Sequence, residues 1–117
     1  MPLIKVQASV AEPQSGDANA LLGTLSARLA EQTGKPESTV MTAFEPNVPM
    51  TFAGTADPAC YVEIKSVGEI PPEQARAMSH AVCQQIEQSL GVPANRTYIT
   101  FSPTEGTLWG WNGSTLR

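Results

Sequence analysis

Residue 2 is a proline, and a strand-like run, Pro2-Leu3-Ile4-Lys5-Val6, begins on it. A small second residue lets an initiator methionine be clipped off, which would leave a free secondary amine at Pro2. Among standard residues only proline can present one. Held in an apolar pocket beside another cation, such an amine loses its proton easily and serves as a base near neutral pH. Other chemistry-bearing residues are sparse. The two cysteines, Cys60 and Cys83, are not close in sequence and form no CxxC, so buried thiols in a reducing compartment are expected. The single histidine, His80, falls inside a predicted helix without a ligand-spaced partner, which argues against a metal site. Neither a Gly-rich phosphate loop nor a nucleophile elbow is present, and no cofactor is expected.

The composition narrows the partners. At 117 residues the chain is expected to form one domain, and 41% hydrophobic residues suffice for a core. A chain this short leaves much surface to cover, which favours an oligomer. Seven basic and eleven acidic residues give a net charge of -4, with no run of Lys or Arg. Nucleic acid and anionic membrane are therefore not expected as partners. No apolar run approaches the roughly 20 residues of a membrane span. A charged segment followed by a long apolar stretch is missing at the N-terminus, so a cytoplasmic location is expected, any export being non-classical.

The elements that must hold Pro2 come as one unit repeated. A first strand is predicted over Pro2 to Val10, with Ile4, Val6, Ala8 and Val10 on one face. Pro13 to Asp17 reads as a turn. A helix follows to about Thr33, carrying Leu21, Leu22, Leu25 and Leu29 at helical spacing. Gly34 suits its C-cap, Pro36 forbids continuation, and a strand is predicted from Thr39 to Phe44. The second unit has a strand over Cys60 to Val67 and a helix opened by Pro71-Pro72-Glu73. Met78, Val82, Ile86 and Leu90 recur along that helix, Gly91 caps it, and a last long strand spans Arg96 to Ser102.

Gly34-Lys35-Pro36 recurs 57 residues later as Gly91-Val92-Pro93, Thr39-Val40-Met41-Thr42 recurs 58 later as Thr97-Tyr98-Ile99-Thr100, and Ile4-Lys5 recurs 60 later as Ile64-Lys65. The two halves are about 1–57 and 58–117. Two βαβ units predict an α+β two-layer sandwich, a four-stranded mixed sheet with both helices on one face, because the crossovers share one hand. Alternation puts Ile99 and Phe101 under the helices and Tyr98 and Thr100 on the open face, with Lys5, Gln7, Glu63 and Lys65. That face is either wet or lines a subunit interface. Pro49 to Gly54 and Leu108 to Trp111 are short segments suited to extending a neighbour's sheet. Asn112-Gly113 is a turn signal.

Five ordered segments carry a family resemblance: Met1-Pro2, Thr33-Gly34-Lys35-Pro36, Asp57-Pro58 with Ser66-Val67-Gly68-Glu69-Ile70, Arg96 to Phe101, and Gly110-Trp111-Asn112-Gly113-Ser114-Thr115. From end to end the chain resembles macrophage migration inhibitory factor and its relatives in the tautomerase superfamily. The resemblance implies a homotrimer of βαβ repeats with active sites between subunits, and keto–enol tautomerisation of phenylpyruvate-like acids. It implies that Pro2 is the catalytic base, Lys35 the lysine beside it, and Val67 a backbone N–H donor to substrate. Tyr98 of an adjacent subunit, Thr100 and Trp109 complete the implied pocket. Vertebrate members carry an asparagine at the position of Thr100, a tyrosine at that of Thr39 and a smaller aliphatic residue at that of Trp109. Their CxxC aligns with Ala59 and Val62, so the resemblance does not extend to thiol–disulfide chemistry.

The residues also have plainer readings. Lys35 follows a helix end, where a cation gains ~0.3–1 kcal/mol from the macrodipole. Trp111 suits an interface. Two alternatives to a tautomerase remain: a cytokine-like binding effector, for which the sequence offers no recognisable receptor loop, and proline-based hydration or dehalogenation of small unsaturated acids. The last needs an extra acid or arginine in the pocket, for which Glu63 and Arg96 are the available types.

Overall fold

Alternating burial builds the sheet. In the computed structural model, which describes residues 2–13 and 17–117, β1 (Pro2–Ala8) buries Pro2, Ile4, Val6 and Ala8 and turns Lys5 to the opposite, open side. Strand β3 (Cys60–Val67) does the same with Cys60, Val62, Ile64 and Ser66. With β2 (Met41–Glu45) and β4 (Thr97–Thr104) they form one sheet in the order β2-β1-β3-β4. The outer pairs are parallel and the central pair is antiparallel. Helix α1 (Asp17–Thr33) packs on β1 and β2, helix α2 (Pro72–Leu90) packs beside it and over β4, and one face of the sheet is covered. This is the two-layer α+β arrangement of two βαβ units.

The core lies between the layers. Leu21, Leu25 and Leu29 of α1 and Met78, Val82 and Ile86 of α2 meet Ile4, Val6, Val62 and Ile64 from the sheet. Each such side chain contributes about 1.5–3 kcal/mol by leaving water. Ile99 and Phe101 pack against this cluster half-buried, while Tyr98 and Thr100 are exposed on the other face, as alternation requires. Ile4 pairs directly with Ile64 across the central ladder. These are the residues matched between the repeats, so a pseudo-two-fold axis passes through that pair.

The starts of β2 and β4 differ from the sequence expectation for one repeated reason, and both strands run slightly further than expected, to Glu45 and Thr104. After Pro36 and after Pro93 the chain makes a single 3-10 turn, Glu37–Thr39 and Ala94–Arg96, before it extends. Thr39 N–H and Arg96 N–H close these turns on the two proline carbonyls at 3.0 and 2.9 Å. Strand β2 therefore begins at Met41 rather than Thr39, and β4 at Thr97 rather than Arg96. At its other end β1 stops at Ala8, because Val48 N–H bonds to the Ala8 carbonyl and Asn47 N–H to that of Val10, pulling Val10 out of the ladder. Gly91 caps α2 at φ 70° and Gly34 follows α1 at φ 69°, left-handed values that favour glycine. Residues 14–16 of the turn expected at Pro13 to Asp17 lie outside the described residues, as does Met1; Asp17 already opens α1.

Asn112-Gly113 turns a two-residue hairpin, β5 (Gly110–Trp111) against β6 (Ser114–Thr115), with both turn residues at positive φ. In the segment Pro49 to Gly54, the strand pairing among the described residues is a lone bridge from Phe52 to Thr55. Among the described residues no helix is long and apolar enough to cross a membrane.

Candidate active site

The ladder decides where the Pro2 nitrogen points. Ser9 N–H donates to the Ala59 carbonyl at 3.0 Å, so odd-numbered residues of β1 and β3 form the hydrogen-bonded pairs. Pro2 is an even position, opposite Ser66, and its nitrogen faces β2 rather than β3. A residue without an amide N–H breaks no bond of the central ladder there. Val67 is odd, so its N–H and carbonyl turn toward the β1 side, at the end of the ladder that Pro2 occupies.

Lys35 comes to the same place from above. Thr33 Oγ1 donates to the Leu29 carbonyl at 2.7 Å and accepts Lys35 N–H at 3.3 Å, which fixes the exit of the chain from α1. The Lys35 side chain then reaches down to the sheet. Its Nζ donates to Ser66 Oγ at 2.9 Å and to the Val67 carbonyl. Both acceptors are neutral, so among the described residues dipoles solvate this ammonium and no carboxylate neutralises it. An ammonium has three N–H donors, and these contacts use two. Ser66 is buried at 4% exposure directly across from Pro2. The lysine ammonium is therefore tied, in a part-buried corner, to the residue directly across from the proline.

A cleft of about 490 Å³ opens on Pro2, within the size range of small-molecule sites. Pro2 and Leu3 form its floor, Ser38 to Met41 one wall, and Trp109, Gly110 and Trp111 the other. Trp109 is held from its backbone: its carbonyl accepts Leu116 N–H at 3.1 Å, and it follows the 3-10 turn Gly106–Leu108. Thr39 Oγ1 bonds to the Pro36 carbonyl at 2.8 Å and so faces its own turn. Met41 and Trp111 are exposed at the rim, 66% and 62%, and give the cleft an apolar mouth.

Two residues implied by the resemblance are elsewhere in the same chain. Tyr98 stands in register with Tyr61, five residues along β3 from Ser66, which is about 17 Å at ~3.3 Å per residue. Thr100, in register with Glu63, lies on the same open face and bonds to the Tyr61 hydroxyl at 3.0 Å. Neither lines the cleft at Pro2, and Lys35 and Val67 are outside its lining as well; of the expected site residues Pro2 and Trp109 line it. Glu63 also lies on the open face, opposite Lys5. Arg96 is turned to backbone carbonyls of residues 52–58. Within one chain, neither Glu63 nor Arg96 therefore lies at the Pro2 corner. The thiols are remote too: Cys60 pairs with Ala8 at the far end of β1. Burial, helped by the nearby Cys83, pushes the Cys60 thiol up from 9.0 to about 12. Burial first, then Glu87, raises Cys83 as well.

Sequence reasoning missed Ser66, Met41 and the place of Trp111. Ser66 had a readable signal: it is the one hydroxyl on the apolar parity of Cys60, Val62 and Ile64. Met41 and Trp111 had none, since which loop meets the start of β2 depends on the C-terminal hairpin folding back.

Comparison with known proteins bears on the chain as a whole. The model of the family described as macrophage migration inhibitory factor matches residues 1–117. Macrophage migration inhibitory factor of Meriones unguiculatus is 34% identical over 99% of both chains, and the homologue of Trichuris trichiura is 33% identical over 99% of this chain and all of that one. In structure, the homologue from Prochlorococcus marinus superposes with a TM-score of 0.92 at 52% identity, covering 98% of this chain and 99% of that one. An end-to-end match in family model, sequence and fold leaves one assignment: the chain belongs to the macrophage migration inhibitory factor family.

Proposed function

We propose that the chain is a phenylpyruvate-type keto–enol tautomerase with Pro2 as general base. The observation that carries this reading is Pro2 itself: it is fully buried on an open cleft and lies opposite Ser66, to which, together with the Val67 carbonyl, the Lys35 ammonium is bonded. With Met1 removed, the Pro2 nitrogen is an amine whose ordinary pKa is about 7.7–8.0. Burial and the Lys35 charge both disfavour its protonated form. The neutral nitrogen takes a proton from the carbon next to the substrate carbonyl. The C–H electron pair becomes the C=C bond, charge moves to the oxygen, and the oxygen takes the proton back from the Pro2 ammonium, which restores the neutral base. The third Lys35 N–H pairs with the substrate carboxylate, and the Val67 N–H stabilises the developing oxyanion. The reverse direction returns the proton to carbon through the same nitrogen. With Met1 attached the nitrogen is an amide and this chemistry is closed.

In this reading the protein works as a homotrimer. The open face of the sheet is covered by neighbours, and Tyr98 and Thr100 of one subunit approach the Pro2 cleft of the next. Tyr98 and Trp109 then hold the substrate ring. Processed protein with Pro2→Ala and Pro2→Gly tests the mechanism: turnover of an aromatic enol-pyruvate should fall by at least about 10²-fold with the oligomer intact. Parent-like turnover in both variants would overturn it.

The relatives' name favours a second reading, a cytokine-like effector whose tautomerase activity is incidental. It predicts a receptor response that Pro2→Gly leaves intact, together with no saturation by a natural keto acid.

A further inference from the structure

Tyr98 is a large aromatic side chain left 66% exposed on the open sheet face, and an unsupported ring there would sample several rotamers. It is not unsupported. The Phe52 ring leans on it, with centroids 4.9 Å apart and planes inclined by 53°. Phe52 in turn lies under the Arg96 guanidinium, whose central carbon is 5.2 Å from the ring centroid. Arg96 sits two residues before Tyr98 and makes four hydrogen bonds to one loop. Its Nε donates to the Pro58 carbonyl at 2.8 Å, Nη1 to Phe52 at 3.2 Å, and Nη2 to Asp57 at 2.9 Å and Thr55 at 3.4 Å. Among the described residues, the loop's strand pairing is the Phe52–Thr55 bridge.

We propose that Arg96 and Phe52 are positioning residues that hold Tyr98 as a fixed wall for an aromatic substrate, and so set selectivity for aryl over alkyl keto acids. The proposal rests on the tautomerase reading, in which Tyr98 serves a neighbouring cleft. The chemistry of the pair explains the choice of residues. A planar guanidinium can fork to several carbonyls and stack on a ring at once; an ammonium carries the same charge but cannot do both. Phe52 contributes a rigid flat surface that leucine lacks. Arg96 therefore acts through the loop and never touches substrate.

The test uses processed, full-length protein with Phe52→Leu, Arg96→Lys and Tyr98→Leu, and the double variant Phe52→Leu/Tyr98→Leu. Two substrates are compared, phenylpyruvate enol and an alkyl enol-pyruvate. Phe52→Leu and Arg96→Lys should each lower the aryl-to-alkyl ratio of kcat/KM by about three- to tenfold, mostly through KM, the worth of one aromatic pair. The double variant should lose no more selectivity than Tyr98→Leu alone. Independently of turnover, fluorotyrosine labelling gives one resonance each for Tyr61 and Tyr98. The Tyr98 signal should shift and broaden in Phe52→Leu while that of Tyr61 stays. Equal losses on both substrates, additive losses in the double variant, or an unmoved Tyr98 resonance would each overturn the proposal. A parent inactive on both substrates would instead sink the tautomerase reading, and the fluorine spectra would still decide the positioning.

Discussion

In the proposed mechanism, Pro2 and Lys35 are useful because of what each does to the other. A cation next to an amine opposes its protonation, so kcat/KM should rise with pH along a limb that reports the Pro2 nitrogen. Lys35→Met removes that cation. The midpoint of the limb should then move to higher pH, and kcat/KM at neutral pH should fall about 10- to 100-fold from loss of a charge-assisted contact to the carboxylate. A pH–rate profile of both proteins checks this; coincident midpoints would mean that Lys35 does not act on the base. Cys60 makes a separate prediction. Its thiol holds its proton to about pH 12 in the folded chain, against 9.0 when exposed. Between those values the unfolded state has lost the proton and the folded state has not, so folding stability falls as pH rises through that window and is unaffected below it. Alkylation at pH 8 should leave Cys60 intact in native protein and label it after denaturation.

At the scale of elements, the site depends on how α1 ends. Leu25 and Leu29 seat the helix on the sheet, Thr33 ties its last turn, and Gly34 turns the chain so that Lys35 descends to Ser66. Leu25→Ala should cost about 2–5 kcal/mol in denaturant unfolding, because a fully buried side chain is replaced by a cavity. Gly34→Ala is milder in stability, about 1 kcal/mol for a left-handed backbone position, but it strains the residue that aims Lys35. The helices were readable from the spacing of Leu21, Leu25 and Leu29 and of Met78, Val82 and Ile86, because one-sided burial imposes a period of 3.6. The two 3-10 turns after Pro36 and Pro93 were not, since a three-residue turn leaves no periodic trace.

For the whole molecule, the decisive geometry is the distance between Tyr98 and Pro2 within one chain. A trimer in which Tyr98 crosses to a neighbour can be tested by mixing. Pro2→Ala and Tyr98→Leu chains, each impaired alone, should regain activity when refolded together, because mixed sites unite an intact Pro2 with an intact Tyr98. Absence of recovery in mixed oligomers would rule out the shared site. By itself, the sequence determined the repeated βαβ unit, the buried faces of β1, β3 and β4 and the amine that Pro2 can become, since all three follow from local spacing and residue chemistry. Only the tertiary structure decided that Ser66 lies opposite Pro2 beneath Lys35, that the C-terminal hairpin brings Trp109 and Trp111 over the cleft, and that Arg96 grips a loop instead of a substrate. Those are contacts between segments far apart in the chain, and they are selected by packing, on which local periodicity carries no information.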